Sequence, residues 1–159
     1  MSRFRILSVG RGMPKHEKGL FDDYAGRMKR YGGLELVEIA EGQRTGKESP
    51  ATRSKAIADE GERILEKMDK RLWMALDRGG KLLDSETLAA QLLRWQEAGD
   101  RDVGLIIGGP DGLHERVLQG VAFKLAFGPM TFPHMLVRVM LAEQLYRAMT
   151  LQHGVPYHR

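Results

Sequence analysis

The chain has 159 residues, no cysteine, and 25 basic against 21 acidic side chains, a formal net charge of +4. That is one domain's length at ordinary globular composition, and it excludes a disulfide scaffold, a thiolate metal site and a cysteine nucleophile. Residues 135–145, the longest apolar stretch, are interrupted by Arg138 and Glu143 and fall short of the roughly 20 residues of a membrane span.

Met1-Ser2-Arg3-Phe4-Arg5 leads into no apolar leader core or small-residue cleavage site, so a cytoplasmic chain without a signal peptide is expected. Residues 3–9 read as a strand around Phe4 and Ile6 that stops at Gly10-Arg11-Gly12-Met13-Pro14. Residues 15–30 read as a helix with Leu20, Tyr24 and Met28 on one face, and 34–40 as a second strand. The polar, glycine-containing stretch 41–48 has nothing to bury and is expected to be a mobile loop. Ser49-Pro50 starts a helix, because Ser caps free N–H groups and Pro suits the first turn; it runs to about Met68. Residues 71–77 form a third strand ending at Arg78-Gly79-Gly80-Lys81, and Asp84-Ser85 opens a helix through Leu88, Leu92 and Trp95.

Residues 103–107 are nearly all apolar, which predicts a central strand covered on both faces. A glycine-rich turn follows, then a short helix over 114–121, a weaker strand over 122–127, a loop over 128–133 and a last helix over 134–152. There is no internal repeat and no linker long enough to divide the chain. Strand and helix alternation predicts a single α/β domain over 1–159, with a mostly parallel sheet and helices on both faces.

Ligands of such sheets sit beyond the carboxyl ends of the strands. Three segments there have unusual composition: 77–81, 108–113 with its Gly-Gly-Pro-Asp-Gly run, and 128–134 with two prolines. The phosphate fingerprint of a dinucleotide fold is absent, since Pro14 and Lys15 follow Gly10-Arg11-Gly12, and there is no Walker A sequence. A ligand held by backbone groups without a phosphate cradle fits better. The 135–149 helix is apolar apart from Arg138, Glu143, Gln144 and Arg147, so it must be covered by the sheet and by something else, for which a homodimer is expected. Glu143 and Arg147 are spaced as an i, i+4 pair.

Charge is unevenly spread. Residues 1–60 carry 12 basic and 9 acidic groups, 61–120 carry 9 and 11, and 121–159 carry 4 and 1. Basic ends make RNA a plausible partner. The terminal Tyr157-His158-Arg159 combines stacking, hydrogen-bonding and phosphate-pairing groups. With little apolar surface, this tail is expected to add nothing to stability.

Four ordered stretches carry a resemblance. They are Leu105-Ile106-Ile107-Gly108-Gly109-Pro110-Asp111-Gly112, Met130-Thr131-Phe132-Pro133-His134-Met135-Leu136-Val137-Arg138-Val139, Glu143-Gln144-Leu145-Tyr146-Arg147-Ala148, and Tyr157-His158-Arg159. Together with the 10–14 loop and Ala75-Leu76-Asp77, they resemble the ribosomal RNA large subunit methyltransferase H family of the SPOUT superfamily over essentially the whole chain. The resemblance implies a SPOUT-type sheet with a C-terminal trefoil knot. It also implies a homodimer that uses S-adenosyl-L-methionine to methylate N3 of a pseudouridine in the helix 69 loop of 23S ribosomal RNA, with large-subunit RNA as partner and neither metal, DNA nor membrane.

Carried over residue by residue, the methyl-donor pocket falls on Leu76, Gly109 and the loop Gly128, Pro129, Met130, Thr131, Phe132 and Pro133. Gly109 is expected where only hydrogen fits, so that a valine would enter that pocket. Relatives often carry Ser where Gly128 stands, so any hydroxyl contact from that position is lost. The resemblance points to His134, Arg138, Glu143, Arg147, Tyr157, His158 and Arg159 around the RNA and the dimer seam. Among these, His158 could accept the imide proton, while Arg159 or Arg147 stabilises the charge on the base. The competing reading is a ribosome-binding or assembly protein that uses the basic ends without chemistry; a dinucleotide oxidoreductase stands behind both.

Overall fold

The computed structural model describes residues 3–159; Met1 and Ser2, where the leader reading begins, lie outside the described residues. Five strands, β1 (Phe4–Val9), β2 (Leu34–Ile39), β3 (Leu72–Leu82), β4 (Val103–Ile107) and β5 (Phe123–Ala126), alternate with five helices. These are α1 (Lys15–Met28), α2 (Pro50–Lys67), α3 (Ser85–Glu97), α4 (Glu115–Gln119) and α5 (His134–Gln152). The strands form one sheet in the order β2-β1-β4-β3-β5, and every pairing is parallel. Parallel pairing requires a crossover after each strand, so the carboxyl ends and the loops that leave them gather along one edge.

Side-chain alternation splits the core into two layers. Phe4, Ile6, Met74, Leu105 and Leu125 pack with residues of α1, α3 and α5, including Phe21, Leu88, Leu92, Leu141 and Leu145. Leu7, Val9, Trp73, Ala75 and Ile106 face the other way, against Ile64 of α2 and Val117 of α4. β4 is buried at all five positions, as its apolar run requires of a central strand. The predicted caps are present: Ser49 Oγ accepts the Thr52 N–H at 3.1 Å, and an Asp84 carboxylate oxygen accepts that of Thr87 at 2.7 Å.

Four expectations need correction. On α1 Met28 is buried and Tyr24 packs against the core as predicted, but Leu20 is 50% exposed and its neighbour Phe21 takes the buried place. β3 does not stop at 77. Its pairing with β5 jumps from Leu76 to Lys81 and continues to Leu82, so the Gly-Gly segment is an irregularity inside a strand rather than a terminal turn. The 41–48 loop is pinned: Gly42 N–H donates to the Glu60 carboxylate at 2.9 Å, and Arg63 holds the carbonyls of Ala40 and Glu41 at 2.8 and 2.9 Å. Leu141 and Leu145 are wholly covered by this chain's own sheet and helices, so their burial needs no second copy.

Gly104 of β4 lies against the Trp73 ring; a Cβ built there would stand 2.2 Å from ring carbons. Gly104→Ala is therefore expected to cost about 1–3 kcal/mol through overpacking, measured by urea denaturation. An unchanged midpoint would contradict this packing.

Candidate active site

Two cavities open at the carboxyl edge and share Leu125, Ala126 and Phe127 as a common wall. The first, about 480 Å³, is lined in part by each segment that composition singled out, by Asp77 and Arg78, by Gly108 to Gly112, and by Gly128, Met130, Thr131, Phe132 and His134, with Leu76, Ile107, Ala126, Phe127 and Val137 beside them. Of the predicted donor residues, Leu76, Gly109, Gly128, Met130, Thr131 and Phe132 line it, whereas Pro129 and Pro133 are exposed at the two ends of the loop. Gly128 has φ of 121°, a conformation that strains any side chain and that glycine adopts freely. Across the mouth the Arg78 guanidinium donates to the Thr131 hydroxyl, tying the β3 irregularity to the 128–133 loop.

The walls are mostly backbone groups and apolar side chains, with Asp77 and Asp111 as carboxylates, and with the Arg78 guanidinium at the mouth and the His134 ring at the back. Arg78 is tied to Thr131 and Asp111 to Arg44, which leaves Asp77 as the carboxylate without a cationic partner among the described contacts and suits a cation with an uncharged heterocycle. Asp111 is itself engaged from outside by Arg44 at 2.5 Å, so the loop after β2 braces the loop after β4. That brace was not legible, because Arg44 and Asp111 lie far apart in sequence with no spacing signal between them. Gly109 is a tight position, but not toward the cavity: a Cβ there would meet Glu60 and Val9, both at 3.2 Å, on the α2 side of the sheet. Gly109→Val therefore presses on that layer instead of entering the first cavity. Glu60 is nearly excluded from solvent, and burial pushes its carboxyl above the usual range; the Gly42 N–H and Arg44 pull the other way.

The second cavity, about 700 Å³, lies between α5, α3 and the end of β3, and its lining includes Glu143, Gln144, Glu86, Tyr24 and His158. Here the structure gathers most of the predicted catalytic set. Arg147 donates to the Glu143 carboxylate at 2.9 and 2.5 Å and pairs with His158 Nδ1 at 2.9 Å, and His158 Nε2 meets Glu86 at 2.7 Å. The pairing with Glu143 raises the Arg147 pKa, and that with His158 lowers the Glu86 pKa. The Tyr157 hydroxyl donates to Glu143 at 3.1 Å, and its ring packs edge-on to Tyr146 and under the Arg147 guanidinium, both at 4.8 Å. Burial first, then hydrogen bonds with Tyr24 and Glu143, push the Tyr157 phenol up to about 12. Arg159 is exposed at the chain end.

Two site expectations change. The tail is docked on Glu143, Tyr146, Arg147 and Glu86 instead of fraying. Arg138 is 0% exposed and bonded to Ser8 of β1, Glu38 of β2 and the Gly10 carbonyl just beyond β1, which removes it from the residues that could reach RNA. A signal for its burial was present: Arg138 shares the helical stripe of Leu141, Ala142, Leu145 and Met149. His134 lines the first cavity while its Nε2 meets the Val9 carbonyl.

Comparison with known proteins places these residues in context. A family model described as "Predicted SPOUT methyltransferase" matches residues 2–158. The protein named "Ribosomal RNA large subunit methyltransferase H" of Alkalilimnicola ehrlichii is 46% identical over 157 residues, covering 99% of both chains. Its namesake from Chromohalobacter salexigens is 44% identical over 158 residues, again with 99% of both covered. Among solved structures, a probable methyltransferase from Bordetella pertussis Tohama I superimposes with a TM-score of 0.55 at 18% identity, covering 93% of this chain and 96% of that one; it has the same fold.

Deleting Tyr157, His158 and Arg159 is expected to lower the melting temperature by several degrees, since an aromatic pair, a cation–π contact and a hydrogen bond go together, each about 1 kcal/mol. An unchanged melting temperature would show the tail undocked. Because the folded Tyr157 pKa lies above the unfolded value, its stabilising contribution is full below about pH 10 and is lost as pH rises through about 12. Tyr157→Phe should flatten the loss of stability over that window in urea titrations.

Proposed function

The chain belongs to the ribosomal RNA large subunit methyltransferase H family of SPOUT methyltransferases, and from that premise we propose that it methylates N3 of a pseudouridine in the helix 69 loop of 23S ribosomal RNA, using S-adenosyl-L-methionine. The observation that carries this reading is the first cavity: walls mostly of backbone and apolar groups, with the Asp77 carboxylate inside and Arg78 held at the mouth, between the β3 irregularity and the loops that leave β4 and β5. When bound there, the donor supplies a methyl group on a sulfonium cation. Asp77 and the carbonyls of the glycine-rich loops suit that cation, and Leu76, Ile107 and Phe127 offer apolar surface to its adenosine. Gly128 to Phe132 enclose it from the far side.

On the acceptor side, the N3–H bond must break so that its electron pair forms the bond to carbon while the S–C pair returns to sulfur. His158 is the proposed acceptor of that proton at Nδ1, which must exchange its bond from the Arg147 guanidinium for the N3–H of the base while Nε2 stays on Glu86. Arg147 and the exposed Arg159 offer positive charge to the base oxygens, and Tyr157 and Glu143 hold Arg147 in place. Positioning the two reactants contributes much of the acceleration in such a displacement.

This assignment works best across a homodimer. Within one chain the donor residues line one cavity and Glu143 and His158 the other. A second copy would let the tail of one protomer face the donor cavity of its partner. Leu82 and Met130, 69% and 73% exposed, stand at the two cavities and supply apolar surface for such a contact. The trefoil knot and a cytoplasmic setting belong to the same reading.

The test has two steps. S-adenosyl-L-methionine near 100 times its Kd should add about 2.7 kcal/mol to stability and raise the melting temperature by several degrees. Incubation with methyl-labelled donor and intact ribosomes should then label large-subunit RNA, with N3-methylpseudouridine as the product nucleoside. Binding to ribosomes with neither shift nor label would favour the non-catalytic assembly protein. Light scattering should give about twice the 17.9 kDa chain mass, and an active monomer would contradict the shared site.

A further inference from the structure

The most heavily bonded buried polar side chain at the carboxyl edge belongs to neither cavity's lining. Arg138, in the second turn of α5, is wholly excluded from solvent. Its Nε donates to Ser8 Oγ at 2.8 Å, Nη1 to the Glu38 carboxylate at 2.6 Å, and Nη2 to the Gly10 carbonyl at 2.8 Å. One planar fork thus joins the end of β1, the end of β2 and the helix. A buried guanidinium is costly unless every donor is answered, and an apolar side chain of similar volume would serve a core as well or better.

The location of this fork shows what it acts on. The 128–133 loop runs without interruption into α5, whose first turn supplies His134 and Val137 to the donor cavity. That helix start has no side-chain cap and no acidic residue in its first turn. What holds it is lateral: Arg138 on Ser8, Glu38 and Gly10, and one turn earlier His134 on the Val9 carbonyl. Both contacts meet the chain where β1 leaves the sheet. On its other side the 128–133 loop hangs from β5, a four-residue edge strand. The helix end is therefore the firmer of its two supports.

We propose that Arg138 is the positioning residue of the 128–133 loop, setting donor affinity by fixing the start of α5 to the ends of β1 and β2; this rests on the reading of the first cavity as the methyl-donor site. Lysine keeps the charge but cannot answer three acceptors in one plane, so Arg138→Lys should release the helix start without emptying the core. Glu38→Gln keeps an oxygen acceptor and loses the charge, and Ser8→Ala removes only the Nε partner.

Isothermal titration with S-adenosyl-L-methionine, well below each variant's melting temperature, tests this against wild type and against Ile64→Ala. Ile64 belongs to the opposite core layer and serves as a control for loss of stability alone. Donor Kd should rise about 10–100-fold in Arg138→Lys, the scale seen when an orienting partner is lost at metal sites. It should rise less in Glu38→Gln and Ser8→Ala and stay at the wild-type value in Ile64→Ala. With ribosomes as substrate, KM for the donor should rise while kcat is retained. Should Arg138→Lys fail to fold, Glu38→Gln and Ser8→Ala decide. Unchanged Kd in the folded variants, or an equal loss in Ile64→Ala, would overturn the inference while leaving the donor site standing. Failure of the wild-type protein to bind the donor would overturn both.

Discussion

The geometry of the carboxyl edge depends on how β3 holds β5. β5 has four residues, lies at the edge of the sheet and pairs with β3 alone. That pairing runs in register from Met74↔Phe123 to Leu76↔Leu125, then jumps so that Lys81 and Leu82 face Leu125 and Ala126. The residues between, Asp77 to Gly80, are forced out of the ladder. Gly80 makes this possible, since a Cβ there would lie 2.7–2.8 Å from the backbone of Lys124 and Leu125. The extruded segment carries Asp77 and Arg78 to the mouth of the first cavity, and Arg78 reaches Thr131 across it. The same irregularity extends β3 to Leu82, which lines the second cavity. One interruption in one strand pair thus shapes both spaces.

Polar groups in the interior serve the loops more than the core. Glu60 costs stability by burial, and its raised pKa means that this cost grows as pH rises through the folded value. In return it fixes Gly42, two residues before Arg44, which meets Asp111 on the wall of the first cavity. Arg138 does the corresponding work on the opposite side of the sheet, for the loop that leads into α5. Both act on segments outside the regular strands and helices.

Much of the fold was legible because it follows from local chemistry. The apolar run of β4 announces a central strand, and Ser49-Pro50 and Asp84-Ser85 announce helix starts that the capping bonds realise. The three segments that line the first cavity stood out for glycine and proline content, although only two of them prove to follow a strand end. What escaped reading is what depends on distant partners. Gly79-Gly80 looks like a terminal turn unless Lys124 and Leu125 are known to pass beside it. The 41–48 loop looks mobile unless Glu60, Arg63 and Asp111 are known to face it. The tail looks frayed until Glu143, Arg147 and Tyr146 are set beneath Tyr157. Arg138 is the sharpest case: the helical stripe reveals that it is buried, but nothing near it in sequence names Ser8 or Gly10 as its acceptors.

The central claim is that a methyl donor occupies the space between the β3 irregularity and the loops leaving β4 and β5. Hydrogen–deuterium exchange with and without S-adenosyl-L-methionine tests it without relying on catalysis or on any variant. The account predicts slower exchange in 76–80, 107–112 and 126–133 together, with 84–88 unchanged in the absence of RNA. Protection confined to 84–88 and the terminal tail, leaving the three loops unaffected, would move the donor to the second cavity and contradict the account.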